Sequence, residues 1–109
     1  MMDEQEFRVR CDQAMGKLYR QLSEASDTYD FEADQSAGTL TVEFEEPRTK
    51  FVVSPNAPVR QIWVSALSKS FKLDWDAVET SFVLPESGAT LSELMADVIG
   101  KQLGEQVEL

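Results

Sequence analysis

Histidine is absent from the sequence, and cysteine occurs once, at Cys11. Without histidine the chain has no Ser-His or Cys-His dyad, lacks the commonest general base and cannot build a zinc site that uses imidazole. One cysteine cannot close an internal disulfide. Basic residues are scarce too: ten Lys and Arg stand against twenty Asp and Glu, a formal net charge of -10. That sign is wrong for gripping phosphate backbones, so nucleic acid is not an expected partner, and it suits cations or a basic protein surface. No apolar run approaches the ~20 residues that cross a bilayer. The opening Met-Met-Asp-Glu-Gln-Glu is acidic where a secretory or mitochondrial presequence is basic. The expected location is the cytoplasm, with no membrane partner. No Gly-rich phosphate loop is present.

What remains is an ordinary globular balance, with 42% hydrophobic and 9% aromatic residues over 109 positions. That length suits one domain spanning 1–109 with a single core. The charge is unevenly placed. From Glu24 to Glu46 there are eight acids and no Lys or Arg, whereas from Pro47 to Leu109 eight acids face six bases. Repulsion of that size in one stretch is tolerated only where it is solvated, harmless or useful.

From Asp3 to about Ser26, the residues Phe7, Cys11, Ala14, Met15, Leu18 and Leu22 recur at spacings of three and four, the stripe of an amphipathic helix. Cys11 lies within that stripe and reads as a small buried hydrophobe, because a reactive thiol wants an exposed, electropositive site. Glu6/Arg10 and Arg20/Glu24 on the other face are spaced for i,i+4 ion pairs. At Tyr29 the period changes to two. Phe31 and Ala33 alternate with Asp30, Glu32 and Asp34, so a short strand is expected to carry three carboxylates on one face.

Ser36-Ala37-Gly38 reads as a hairpin turn into Thr39 to Glu45, and Glu46-Pro47-Arg48 as the next turn, before a strand from Lys50 to Ser54. Pro55 and Pro58 bracket an expected loop, after which Arg60 to Ala66 alternates again. Ile62 and Val64 then fall on one side, and Gln61, Trp63 and Ser65 on the other, which predicts an outward Trp63. Trp75 and Phe82, on short strands at Lys72 to Trp75 and Ser81 to Leu84, lack polar companions in phase and read as core. Thr90-Leu91-Ser92-Glu93 matches a capping box ahead of a second amphipathic helix. The order helix, about six short strands, helix, with loops too short for crossovers, predicts an α+β two-layer sandwich. The N- and C-terminal helices pack on one face of an antiparallel sheet, and the other face is open to solvent.

The acidic stretch offers only oxygen ligands, which suit hard or borderline cations such as Ca²⁺, Mg²⁺, Mn²⁺ and iron. Asp30-x-Glu32-x-Asp34 mimics the start of an EF-hand loop, but Gln35 occupies the glycine position and Thr41 that of the bidentate Glu. Carboxylates at i,i+2 on a strand stand roughly 6 to 7 Å apart, so any metal site here is expected to be open, hydrated and weak. The same charges on an edge strand would also block edge-to-edge aggregation.

Four segments, Gly38-Thr39-Leu40-Thr41-Val42, Pro58-Val59-Arg60-Gln61-Ile62-Trp63-Val64-Ser65, Asp74-Trp75 and Ser87-Gly88-Ala89-Thr90-Leu91-Ser92-Glu93-Leu94, resemble in order and spacing the bacterial branch of the frataxin family. The resemblance runs from about Glu6 to Leu103. It implies an iron-binding protein of iron–sulfur cluster assembly that contacts a cysteine desulfurase and its scaffold protein, without being an enzyme. In that family an acidic ridge at the end of the first helix and on the first strand binds iron (Fe²⁺ or Fe³⁺). By resemblance it maps to Glu24, Asp27, Asp30, Glu32 and Asp34. The partner-binding set implied on the sheet surface is Gln61 and Trp63, together with Arg60 and Glu43. The protein is expected to be a monomer, with iron-dependent oligomers as the alternative.

The sequence departs from the family pattern where Tyr19, Arg20 and Ser23 replace part of a dense acidic run, which thins the ridge, and where Phe82 replaces a usual Trp. A competing reading is an acidic interaction protein, a chaperone or a mimic, that docks a basic partner without metal. A carboxylate ferroxidase or hydrolase ranks below both, because no companion nucleophile or Glu-x-x-His pair is available.

Overall fold

Asp3 opens the first helix by accepting the Glu6 backbone N–H on its side chain at 2.8 Å, and α1 then runs Glu4–Ala25. The computed structural model describes residues 2–109. After α1 come β1 (Glu32–Ser36), β2 (Thr39–Glu45), β3 (Arg48–Asn56), one 3-10 turn (Ala57–Val59), β4 (Gln61–Ala66), β5 (Lys69–Asp76), β6 (Ser81–Val83) and α2 (Leu91–Leu103). The strands form one sheet in chain order, each antiparallel to the next. Both helices cover one face of it, as the alternation of apolar and polar residues predicts.

The core lies between those layers. Phe7, Cys11, Met15, Leu18 and Leu22 of α1 and Leu91, Leu94, Met95, Val98 and Ile99 of α2 are buried against Leu40, Val42, Phe44, Phe51, Val53, Ile62, Val64 and Leu73 of the sheet. Phe7 meets Phe82 edge-on at 5.9 Å, and Phe44 meets Phe51 at 4.9 Å, geometries that aromatic quadrupoles favour. The capping box of α2 is complete, with Glu93 N–H donating to the Thr90 hydroxyl and Thr90 N–H donating to the Glu93 carboxylate.

Several sequence expectations shift in detail. Asp30 and Phe31 precede β1 rather than lying in it, so the strand itself carries two of the three carboxylates. Pro55 sits inside β3, opposite Ile62, instead of opening a loop. This is possible because the pairing of β3 with β2 ends at Val53 opposite Leu40, so at Pro55 a ladder is needed on one side only. β5 begins at Lys69, earlier than expected, through a turn at Leu67 and Ser68 that both adopt left-handed backbone angles. The Ala37-Gly38 turn does the same, the backbone signature of a two-residue hairpin. Trp75 is half-buried rather than core. It packs edge-on to Phe82 at 5.3 Å and is covered from outside by the Arg10 guanidinium, 5.1 Å from its ring centroid.

Candidate functional site

The carboxylates expected to form the ridge come from three adjoining pieces of chain. Glu24 lies in the last turn of α1, Asp27 and Asp30 in the loop that follows, and Glu32 and Asp34 on the edge strand β1; all five are exposed. The last turn of α1 carries no basic residue, so these acids gather at the negative end of the helix dipole, where a cation rather than an anion is favoured. On the open face Glu32 stands directly opposite Glu43, and Glu43 in turn opposite Lys50. Like charges in direct cross-strand register destabilise a sheet, so the Glu32/Glu43 pair is retained at a cost in stability.

None of the five ridge acids has an ion-pair partner among the described residues. The three ion pairs among the described residues are Arg8–Glu4, Arg10–Glu6 and Lys101–Asp97, all within helices. The expected Arg20–Glu24 pair does not form; the Arg20 guanidinium lies back toward Gly16 instead. Among the described residues no three carboxylates converge as a ready-made chelate. The donor set fits a hydrated hard cation held on exposed oxygens, in keeping with the strand spacing. Beside it lies a concavity of about 660 Å³, floored by Tyr29, Phe31 and Phe44 and rimmed by Asp30, Glu32, Glu43 and Glu45 on one side and Arg48 and Lys50 on the other.

The second feature stands on the open sheet face. Trp63 is 36% exposed while its strand neighbours Ile62 and Val64 are buried, which is the orientation the alternation predicts. Its indole N–H donates to Gln61 Oε1 at 2.9 Å, and Gln61 Nε2 donates to Asp74 Oδ1 at 2.9 Å across the β4–β5 ladder. Lys72, in register with Trp63, holds its ammonium 4.9 Å from the ring centroid. Arg60 ends the 3-10 turn in a left-handed conformation, half-buried, with its guanidinium folded back onto the Ala57 carbonyl. Glu43 lies on β2, toward the ridge.

Sequence reasoning thus finds Gln61 and Trp63 but not their partners Lys72 and Asp74. The missing signal is register. Had β5 been aligned with β4, the polar residues Lys72 and Asp74 would have fallen opposite Trp63 and Gln61. Arg48 and Lys50 opposite the acids of β2 escape for the same reason.

The frataxin-like domain family matches residues 1–105. A protein of Azotobacter vinelandii named iron-sulfur cluster assembly protein CyaY is 37% identical over 79 residues, covering 72% of this chain and 71% of that one. Its namesake in Pseudomonas fluorescens is 30% identical over 107 residues, covering 98% of this chain and 94% of its own. Among solved structures, the frataxin from Psychromonas ingrahamii superposes with a TM-score of 0.82 at 27% identity, over 98% of this chain and 97% of that one. Yeast frataxin shares the fold, with a TM-score of 0.69 at 21% identity, over 92% of this chain and 82% of its own. With two helices on one face of a six-stranded antiparallel sheet, and with a match to the family along nearly its whole length, the chain belongs to the frataxin family.

Proposed function

We propose that this chain is a non-catalytic participant in iron–sulfur cluster assembly that carries iron loosely on Glu24, Asp27, Asp30, Glu32 and Asp34 and docks onto a cysteine desulfurase and its scaffold protein in the cytoplasm. The names of the relatives support the assembly role. The observation that carries the iron reading is the run of exposed carboxylates with no cationic partner among the described residues, at the dipole end that favours a positive ligand. Iron held there keeps most of its water and exchanges readily, which suits delivery or sensing rather than storage.

Docking divides between two surfaces. The ridge and Glu43 attract a basic patch from a distance and raise the association rate, while Trp63, held by Gln61 and with Arg60 nearby, provides an aromatic anchor that slows departure. A second reading is favoured by the lack of a converged chelate: the ridge then serves electrostatic docking alone. An anaerobic NMR titration with Fe²⁺ separates the two. Iron binding predicts saturable changes at Asp30, Glu32 and Asp34 with a dissociation constant of roughly micromolar or weaker. No change at those amides, or change confined to Asp74, Asp76 and Glu79, rejects the ridge as the iron site.

A further inference from the structure

The edge of the molecule farthest along the sheet from the ridge has the opposite character. A groove of about 370 Å³ lies between α1, the turn into β6 and the start of α2, and no Asp or Glu lines it, although the chain has twenty. We propose that this groove binds a small polyanion, a phosphorylated or polycarboxylate molecule, gripped by Arg10 and Lys17 and by the polar donors around them.

Arg10 and Lys17 are seven residues apart, two turns along the same side of α1. Arg10 is held in place on the Trp75 ring, and among the described residues its one carboxylate partner is Glu6, 3.9 Å from Nε, which leaves the two terminal nitrogens facing no acid there. Lys17 has no carboxylate within 4.0 Å among the described residues. Across the groove the Ser92 hydroxyl donates to Gln21 Oε1 at 2.7 Å. With that oxygen occupied as acceptor, the Gln21 amide leaves its N–H donors available. Ser81 adds a hydroxyl from the start of β6, whereas the Thr80 hydroxyl already donates to the Glu79 carbonyl. A guanidinium, an ammonium, an amide and the Ser81 hydroxyl surround a concavity of ligand size, a donor set complementary to clustered anionic oxygens. The first turn of α2 is not what attracts the ligand, because its cap is already satisfied by Thr90 and Glu93. The proposal is independent of whether the ridge binds iron.

The test is an amide NMR titration of the full chain with sodium pyrophosphate and, separately, with citrate, at constant ionic strength with sodium chloride as control. Saturable shifts at Arg10, Lys17, Ser81 and Ser92, with Glu32 and Asp34 unmoved, are expected. Whichever probe saturates at lower concentration identifies the ligand as phosphorylated or polycarboxylate. Lys17 is exposed, so Lys17→Gln keeps the fold and should weaken that binding about tenfold, as should Arg10→Gln. Shifts that only track ionic strength, saturation by a hexaglutamate peptide but by neither small anion, or unchanged affinity in Lys17→Gln would each overturn the proposal.

Discussion

Trp63 and Gln61 stand two apart on β4 and are joined side chain to side chain, indole N–H to amide oxygen at 2.9 Å. With Lys72 over the ring and Asp74 beyond the amide, the most exposed aromatic of the sheet face is fixed before any partner arrives. Its loss should therefore leave the fold intact. Trp63→Ala is expected to melt within a few degrees of the parent and to speed dissociation from the desulfurase complex, at a cost of about 2 kcal/mol or more. Surface plasmon resonance beside circular dichroism reads both. Unfolding by this substitution would place Trp63 in the core and withdraw the docking face.

Reversing charge on the ridge should act on the other rate constant. Glu32→Lys combined with Asp34→Lys is expected to slow association and flatten its dependence on salt, with dissociation little changed. Kinetics at two ionic strengths check this. An unaltered salt dependence would mean that the ridge does not face the partner.

The uncompensated acids also bear on stability. Sodium chloride should raise the melting temperature by screening Glu32 against Glu43 and their neighbours, and Fe²⁺ or another divalent ion should raise it further by binding the native state. The charge-reversed variant should show a smaller gain from salt. A parent melting temperature that is flat or falls with salt would show that the acids are too far apart to repel.

Cys11 gives a prediction in pH. Burial, and then the neighbouring Asp12 carboxylate, raise its thiol from 9.0 to about 11. Between those values the folded chain keeps a proton that the unfolded chain has lost. Stability is therefore complete below about pH 9 and falls as pH rises toward 11, by at most about 2 to 3 kcal/mol. Urea titrations across that window should show the fall in the parent and a smaller one in Cys11→Ala, which separates the thiol from lysine and tyrosine ionisation. Equal slopes in the two proteins would rule the thiol out as the cause.

Gly100 carries a steric prediction. A Cβ there would sit 2.8 Å from the Glu105 backbone oxygen, which cannot move aside as a flexible side chain would. Gly100→Ala ordinarily favours a helix by about 1 kcal/mol, yet here it is expected to destabilise by about 1 to 3 kcal/mol. A urea midpoint equal to or above the parent's would show that the segment after α2 packs elsewhere.

How much of this the sequence discloses depends on whether the determinant is local. The alternation around Ile62 and Val64 is local, and so is the capping box at Thr90, and both are read correctly. The helix stripe through Phe7 and Leu22 is equally plain. The turn at Leu67 and Ser68 is not legible, because neither residue is among those that favour left-handed angles and only the twist of the flanking strands imposes them. Pro55 reads as a breaker until the end of β2 is known. The ridge is visible as composition, whereas Lys72 and Asp74 become part of the Trp63 cluster only through register between strands.

The placement of the two helices side by side over one sheet has a consequence for how the chain is made. Leu18 and Leu22 of α1 share one buried core with Leu94, Met95 and Val98, more than 70 residues later, so that core is complete only when α2 has reached the same sheet face. Because the strands meander in sequence order, the sheet can assemble hairpin by hairpin as it leaves the ribosome, but its apolar face stays half-roofed until α2 emerges. During that interval the acids between Glu24 and Glu46 give the unfinished edge a like charge, which opposes pairing with the edge of another nascent copy.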